Sequence, residues 1–146
     1  DDALEAVLKG LRPLTSGRII TVFGCGGERD KTKRAPMGEV VARCSDIAIV
    51  TSDNPRSEDP MEIIRDVEAG LTALPPLTPN VDKGYTVEVD RKEAIRCAVG
   101  LARAGDVVLI AGKGHETYQE IGSERRPFDD RLVAAEVIGS HGEGRG

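Results

Sequence analysis

Asp53-Asn54-Pro55-Arg56 places a carboxylate, an amide, a rigid turn former and a guanidinium side by side within the stretch TSDNPRSEDP, from Thr51 to Pro60. The ring of Pro55 fixes φ and pushes Asn54 away from helical geometry, so a stiff turn carries these groups. A planar guanidinium is suited to bidentate pairing with a carboxylate, which makes Arg56 a candidate reader of an anionic ligand. The competing reading is ordinary loop and helix-start chemistry, since Asn-Pro and Ser-Glu-Asp-Pro serve both purposes elsewhere.

Two further polar loops carry comparable inventories. They are Gly24 to Arg34, GCGGERDKTKR, and Gly112 to Glu116, GKGHE. Together the three loops set Arg29, Lys31, Lys33, Arg34, Arg56 and Lys113 against Glu28, Asp30, Asp53 and Glu116, with glycine amides expected to be exposed. A ligand bearing several carboxylates and ammonium groups suits that set. Better-known motifs fail. Gly24-x-Gly26 begins like a dinucleotide fingerprint, but Arg29 stands where the third glycine belongs. Gly112-Lys113 lacks the upstream glycine of a phosphate loop, because Val107 is there, and Gly114 replaces the magnesium-binding hydroxyl. Cys25 with His115 could be offered as nucleophile and base, yet a small buried thiol at a strand end is the commoner situation. The basic cluster Lys31, Lys33 and Arg34 is either a solvated helix start or a phosphate-facing group.

These loops need a scaffold, and hydrophobic periodicity supplies one. Arg18 to Phe23, Asp46 to Val50, Tyr85 to Val89 and Asp106 to Ala111 read as strands, the last being the most continuous apolar run. Helices are predicted from Asp1 or Asp2 to before Pro13, over Ala35 to Cys44, from Pro60 to about Gly70, from Asp90 through Ala104, and from Asp129 or Asp130 onward. Asp59 and Asp90 are expected N-caps, Asp90 with Glu93 making a capping-box-like start. Tyr118 to Ile121 and Arg125 to Phe128 are expected to form a hairpin around a turn at Gly122-Ser123. Alternation of strand and helix predicts an α/β, Rossmann-like, mainly parallel sheet with helices on both faces and an antiparallel edge hairpin. The three loops then fall at the carboxyl ends of strands, where such sheets take ligands.

With 146 residues, 39% hydrophobic and 31% charged, the chain suits one domain with a real core. A net charge of −5 and 3% aromatics disfavour nucleic-acid binding, and no apolar run is long enough to span a membrane. The acidic start DDALEAVLKG does not resemble a signal peptide, so a cytoplasmic setting is expected. Cys25, Cys44 and Cys97 are odd in number and widely spaced, and His115 and His141 have no metal-ligand spacing, so neither a disulfide framework nor a structural metal is expected. The abrupt helical start suggests an excised fragment, and the tail from Ser140 to Gly146 is expected to be disordered.

FGCGGERDKTKR, the DNPR turn and AGKGHETYQ, in this order and spacing, closely resemble the carboxy-terminal domain of the Mur ligases that add meso-diaminopimelate to UDP-N-acetylmuramoyl-L-alanyl-D-glutamate. The likeness runs from Ala3 to about Ile138, and it implies a carboxy-terminal, amino-acid-binding domain over 1–139 followed by the tail at 140–146. In the family ATP phosphorylates the D-glutamate γ-carboxyl, the diaminopimelate amine attacks the acyl phosphate, and phosphate leaves. The resemblance implies ATP and Mg2+ as cofactors, bound mainly by a central domain, with an amino-terminal domain for the UDP-sugar. Neither is expected in this chain, which would not catalyse alone. It also implies Arg29, Asp53, Asn54, Pro55, Arg56, Gly112 and Glu116 as diaminopimelate contacts, with Asp30 and Lys31 facing the nucleotide or acyl phosphate.

Residue chemistry agrees with that assignment. Meso-diaminopimelate is an amino acid at both ends, so its site must hold two carboxylates and an ammonium while leaving one amine neutral to attack. Arg56 is the choice for the distal carboxylate, and Asp53 and Glu116 for the ammonium end. Lysine lacks that carboxylate and would leave the guanidinium desolvated, a difference of roughly 10⁴-fold for such a site. Two alternatives stay open: a stand-alone module for a small anion or nucleotide, and a related ligase domain for lysine or polyglutamate.

Overall fold

A computed structural model describes residues 2–112 and 118–144. Helix α1, Asp2–Leu11, and a short 3-10 turn at Arg12–Leu14 lead into strand β1, Ile19–Phe23. A second 3-10 turn, Lys31–Lys33, precedes helix α2, Arg34–Cys44, and strand β2, Ile47–Val50. Then come α3, Pro60–Glu68; β3, Gly84–Val87; α4, Arg91–Leu101; β4, Val107–Ile110; the pair β5, Tyr118–Ile121, and β6, Glu124–Pro127; and α5, Asp130–Gly144. The expected caps form. Asp59 accepts from the Met61 amide at 2.9 Å and Asp90 from the Glu93 amide at 3.1 Å, each satisfying an orphan donor of a helix start.

Four strands build a wholly parallel sheet in the order β3-β2-β1-β4. Ile20 stands opposite Ile47 and Phe23 opposite Val50, while Ile19 and Val22 register with Val107 and Ile110. Every residue of β1 and β2 is buried, which is why both read as apolar runs, broken only by Thr21, whose hydroxyl is satisfied by that of Ser45 at 2.6 Å. Their side chains divide by the period-two pleat. Phe23, Ala48 and Val50 pack with Val41 of α2 and Ile64 and Val67 of α3. Ile20, Val22, Ile47 and Ile49 pack on the other face with Ala94, Ile95 and Ala98 of α4 and Val137 of α5. The architecture is therefore the anticipated Rossmann-like α/β sheet covered on both faces. Among the described residues no helix is long and apolar enough to cross a membrane.

Several expectations change. The apolar run at Asp106 to Ala111 becomes an edge strand, only half buried. Helix α4 stops at Leu101 instead of Ala104, because the Leu101 carbonyl accepts from Arg18 Nη2 at 2.7 Å and Asp106 takes the Arg103 amide at 2.9 Å. Those bonds replace continued helix with a turn closed at Gly105, whose φ of +89° favours glycine. The hairpin forms as its own two-stranded antiparallel sheet, joined to the rest by an isolated bridge between Ile121 and Arg56. Helix α5 continues through Gly144, so the tail expected to be disordered from Ser140 is helical over 140–144.

Candidate functional site

Since β1 lies between β2 and β4 and all three run parallel, the loops leaving their carboxyl ends are neighbours. The chain goes from β1 outward through β2 and β3, then crosses to the other side for β4, which makes the β1/β4 junction the switch point of the sheet. A cavity of about 850 Å³ opens there, with Phe23, Gly24, Arg29, Asp53, Ala111 and Gly112 in its wall. Asp30 and Lys33 also line it. The topology thus gathers Arg29, Asp30, Asp53 and Gly112 from three separate segments.

The glycine loop does not offer its amides to solvent as expected. Gly24 and Gly27 are buried, and the Gly27 amide donates to the Asn54 carbonyl at 2.7 Å. A Cβ on Gly27 would sit 1.9 Å from the Pro55 carbonyl oxygen, and one on Gly24 would sit 2.3 Å from that of Thr51. These glycines exist so that the β1 loop can lie directly on the backbone of the DNPR turn. That is a different reason from cradling a phosphate.

Within DNPR, Asp53, Asn54 and Pro55 are buried and Arg56 is half-buried. The Asn54 carboxamide oxygen accepts from the Glu120 amide at 2.9 Å, and Gln119 Nε2 donates to the Asp53 carbonyl at 2.7 Å. Strand β5 is thereby stitched onto the turn. Arg56 adopts φ +53°, a left-handed conformation uncommon for a side chain of its size. Its amide donates to the Glu120 carbonyl at 3.0 Å and its carbonyl accepts from Gly122 at 2.6 Å, which imposes that backbone. The guanidinium is oriented as well: Nε pairs with Glu120 Oε2 at 2.7 Å, and Nη1 donates to the Gly27 carbonyl at 2.8 Å. Nη1 lies 2.9 Å from where a Cβ on the cavity-lining Gly26 would be, so Arg56 stands behind that part of the wall and, with Asn54 and Pro55, is not itself among the lining residues.

Gly112 has φ +118°, and a Cβ there would lie 3.5 Å from Asp53 Oδ2. Glycine at this point lets the β4 loop close on Asp53. Glu116 and His115 lie outside the described residues. Arg29 is exposed on the cavity rim. Asp30 caps the short 3-10 turn, accepting from the Thr32 hydroxyl at 2.5 Å and amide at 3.0 Å, bonds that hold its carboxyl below the usual range. Lys31 turns away from the cavity, toward Glu58 at 3.7 Å.

The phosphate-facing reading of the basic cluster fails at Arg34. Its side chain is 2% exposed and pairs with Glu58 and Asp66, both at 3.0 Å, while Nη2 also donates to the Gly26 carbonyl. It is an internal strut between the β1 loop and α3. Glu58 additionally accepts from the Glu28 amide at 2.5 Å, and the Arg34 guanidinium followed by that amide holds its carboxyl at about 2. Cys25 is half-buried with Sγ 3.4 Å from Met37 Sδ, and burial pushes its thiol up to about 11. A thiol held protonated at neutral pH is no nucleophile. Among the described residues no group of three or more His, Cys, Asp or Glu side chains could hold a metal ion.

The sequence reading missed Glu120, Gln119 and Arg91. Arg91 had a signal: it is a cation in the first turn of α4, where the helix dipole disfavours positive charge. Its side chain is wholly buried, and it pairs with Asp130 through Nε and Nη2, both at 2.7 Å.

The chain matches the model of the family described as Mur ligase, glutamate ligase domain, over residues 1–114. It is 52% identical over 141 residues to the UDP-N-acetylmuramoyl-L-alanyl-D-glutamate--2,6-diaminopimelate ligase of Geobacillus kaustophilus, covering 97% of this chain and 27% of that protein. The protein of the same name from Synechococcus elongatus is 52% identical over 133 residues, covering 91% and 25%. A solved structure titled as that ligase superposes with a TM-score of 0.84 at 41% identity, covering 96% of this chain and 27% of the other. The chain therefore spans about a quarter of the length of the curated relatives it matches. Sequence and fold agree, and the chain belongs to the Mur ligase family, through its glutamate ligase domain.

Proposed function

We propose that this chain is the part of an ATP-dependent amide ligase that holds the incoming meso-diaminopimelate for addition to UDP-N-acetylmuramoyl-L-alanyl-D-glutamate in peptidoglycan precursor synthesis. The relatives named for that reaction support it. The observation that carries it is Arg56. A left-handed arginine costs roughly 1 kcal/mol or more, and here the hairpin imposes that backbone while Glu120 and Gly27 fix the guanidinium. Such pre-organisation suits a group that must read a carboxylate in one orientation.

In this reading Arg56 takes the distal carboxylate through its guanidinium. Asp53 holds the ammonium end with Glu116, and Arg29 and the Gly112 backbone close the site from the two flanking loops. Asn54 and Pro55 act by shaping the turn. The chain's role is to bind and orient the amine; the acyl phosphate that it attacks must be formed elsewhere. ATP and Mg2+ are, in this reading, held mainly by a central domain that this segment does not supply; among the described residues no group of three or more His, Cys, Asp or Glu side chains is gathered. On the same reading Asp30, which lines the cavity, keeps the role of facing the nucleotide or acyl phosphate, whereas Lys31 reaches toward Glu58 instead. A cytoplasmic setting follows from ATP and a UDP-linked substrate.

The test is phosphate release by a full-length ligase carrying this segment, with the acceptor nucleotide and ATP present and either meso-diaminopimelate or lysine added. Turnover with meso-diaminopimelate alone is expected. Equal turnover with lysine would refute the reading.

A further inference from the structure

Two carbonyls stand just past the strand ends in the site, and one buried side chain binds both. Arg91 Nη1 donates to the Ser52 carbonyl at 3.1 Å, and Nη2 donates to the Ala111 carbonyl at 3.2 Å. Ser52 immediately precedes Asp53, and Ala111 immediately precedes Gly112. Strands β2 and β4 are not adjacent; each is tied to β1 between them, the Thr51 amide donating to the Phe23 carbonyl and the Ala111 amide to the Val22 carbonyl, both at 2.8 Å. The guanidinium adds a direct link between the two loops beyond those ties.

The same side chain reaches a third segment. Asp130 accepts from Nε and Nη2 of Arg91, both at 2.7 Å, and Asp130 is the first residue of α5, where the chain returns from the β5–β6 hairpin. That hairpin supplies Glu120 to Arg56. The Arg91 side chain is 0% exposed and that of Asp130 is 10% exposed, so neither is positioned to touch a ligand. A guanidinium is planar and rigid, and it can satisfy a carboxylate and two carbonyls at once in fixed directions. Lysine at the same position would keep the charge but would lack the fork needed to hold the two loops in register.

We infer that Arg91, braced by Asp130, is a positioning residue that sets the separation of the Asp53 and Gly112 loops and so the fit of the amino-acid substrate. This rests on the amino-acid site proposed above. Loosening the clamp displaces Asp53 from Gly112, raising KM for the amino acid while leaving the affinity for ATP and the acceptor nucleotide intact. A purely structural pair would instead lower the fraction of active protein, reducing apparent kcat for all substrates with every KM unchanged.

The experiment compares Arg91→Lys and Asp130→Asn in a full-length ligase carrying this segment, with Arg56→Ala as a reference. KM is measured separately for meso-diaminopimelate, ATP and the acceptor nucleotide, alongside the thermal midpoint. The expected result is a rise in KM for meso-diaminopimelate of about tenfold or more in both variants, with the other two within about twofold. A lowered midpoint with all three KM values unchanged would overturn it, and so would a failure of both variants to fold, because the pair would then belong to the core alone. Failure of the underlying site is separable: in that case Arg56→Ala itself leaves KM for meso-diaminopimelate unchanged.

Discussion

Arg56 Nε lies 2.7 Å from Glu120 Oε2, so the guanidinium of the DNPR turn already has a carboxylate partner supplied by the hairpin. Glu120 Oε1 is in turn held by Arg125 Nε at 3.1 Å, and Arg125 stacks over the Tyr118 ring at 4.3 Å. The hairpin is therefore a support for the Arg56 guanidinium. Replacing Glu120 with alanine removes a charge-assisted bond to Arg56, a class of contact that contributes about 1.5–3 kcal/mol. KM for meso-diaminopimelate should rise by about tenfold or more in Glu120→Ala, measured by steady-state kinetics. An unchanged KM would show that Arg56 needs no such support.

Gly27 supports a prediction about backbone contact. An alanine Cβ there would lie 1.9 Å from the Pro55 carbonyl oxygen, so one of the two loops must move. Overpacking of this kind costs about 1–3 kcal/mol. Gly27→Ala should lower unfolding free energy by that amount in urea titration and weaken amino-acid binding. Gly10→Ala is the control. No atom lies within 4 Å of a Cβ at Gly10, an exposed position in α1, and the helix should gain about 0.5 kcal/mol.

Acid should destabilise the site through Glu58. Its carboxyl is held at about 2 against an ordinary value of 4.5, by the Arg34 guanidinium and then by the Glu28 amide. Ionised Glu58 contributes its full stabilisation above pH 4.5. As pH falls toward 2 the unfolded chain takes up a proton that the folded chain resists, and the contribution is lost. Glu58→Gln should flatten the fall in stability across that window, read from urea midpoints at a series of pH values. An identical pH profile in the variant would contradict this account.

The elements set by local rules were legible in the sequence. IITVF and IAIV read as buried strands because both faces of the sheet are covered, and Asp59 and Asp90 read as caps because capping is decided within a helical turn. What escaped depends on partners distant along the chain. The end of α4 at Leu101 is set by Arg18, and the role of Arg34 by Glu58 and Asp66. Composition near Lys31 to Arg34 suggested a basic surface, but three-dimensional packing turned Arg34 inward. DNPR was legible as a stiff turn at a strand end, yet its burial of Asn54 and its contact with Glu120 required the hairpin to be placed.

In the proposed site Arg56 selects meso-diaminopimelate by its distal carboxylate. The most direct measurement is KM for meso-diaminopimelate, ATP and the acceptor nucleotide in a full-length ligase carrying this segment, with Arg56 and with Arg56→Ala. The account predicts loss of meso-diaminopimelate use, roughly a thousandfold or more in kcat/KM, with affinity for ATP and the acceptor nucleotide within about twofold. Unchanged kinetics with meso-diaminopimelate would contradict it.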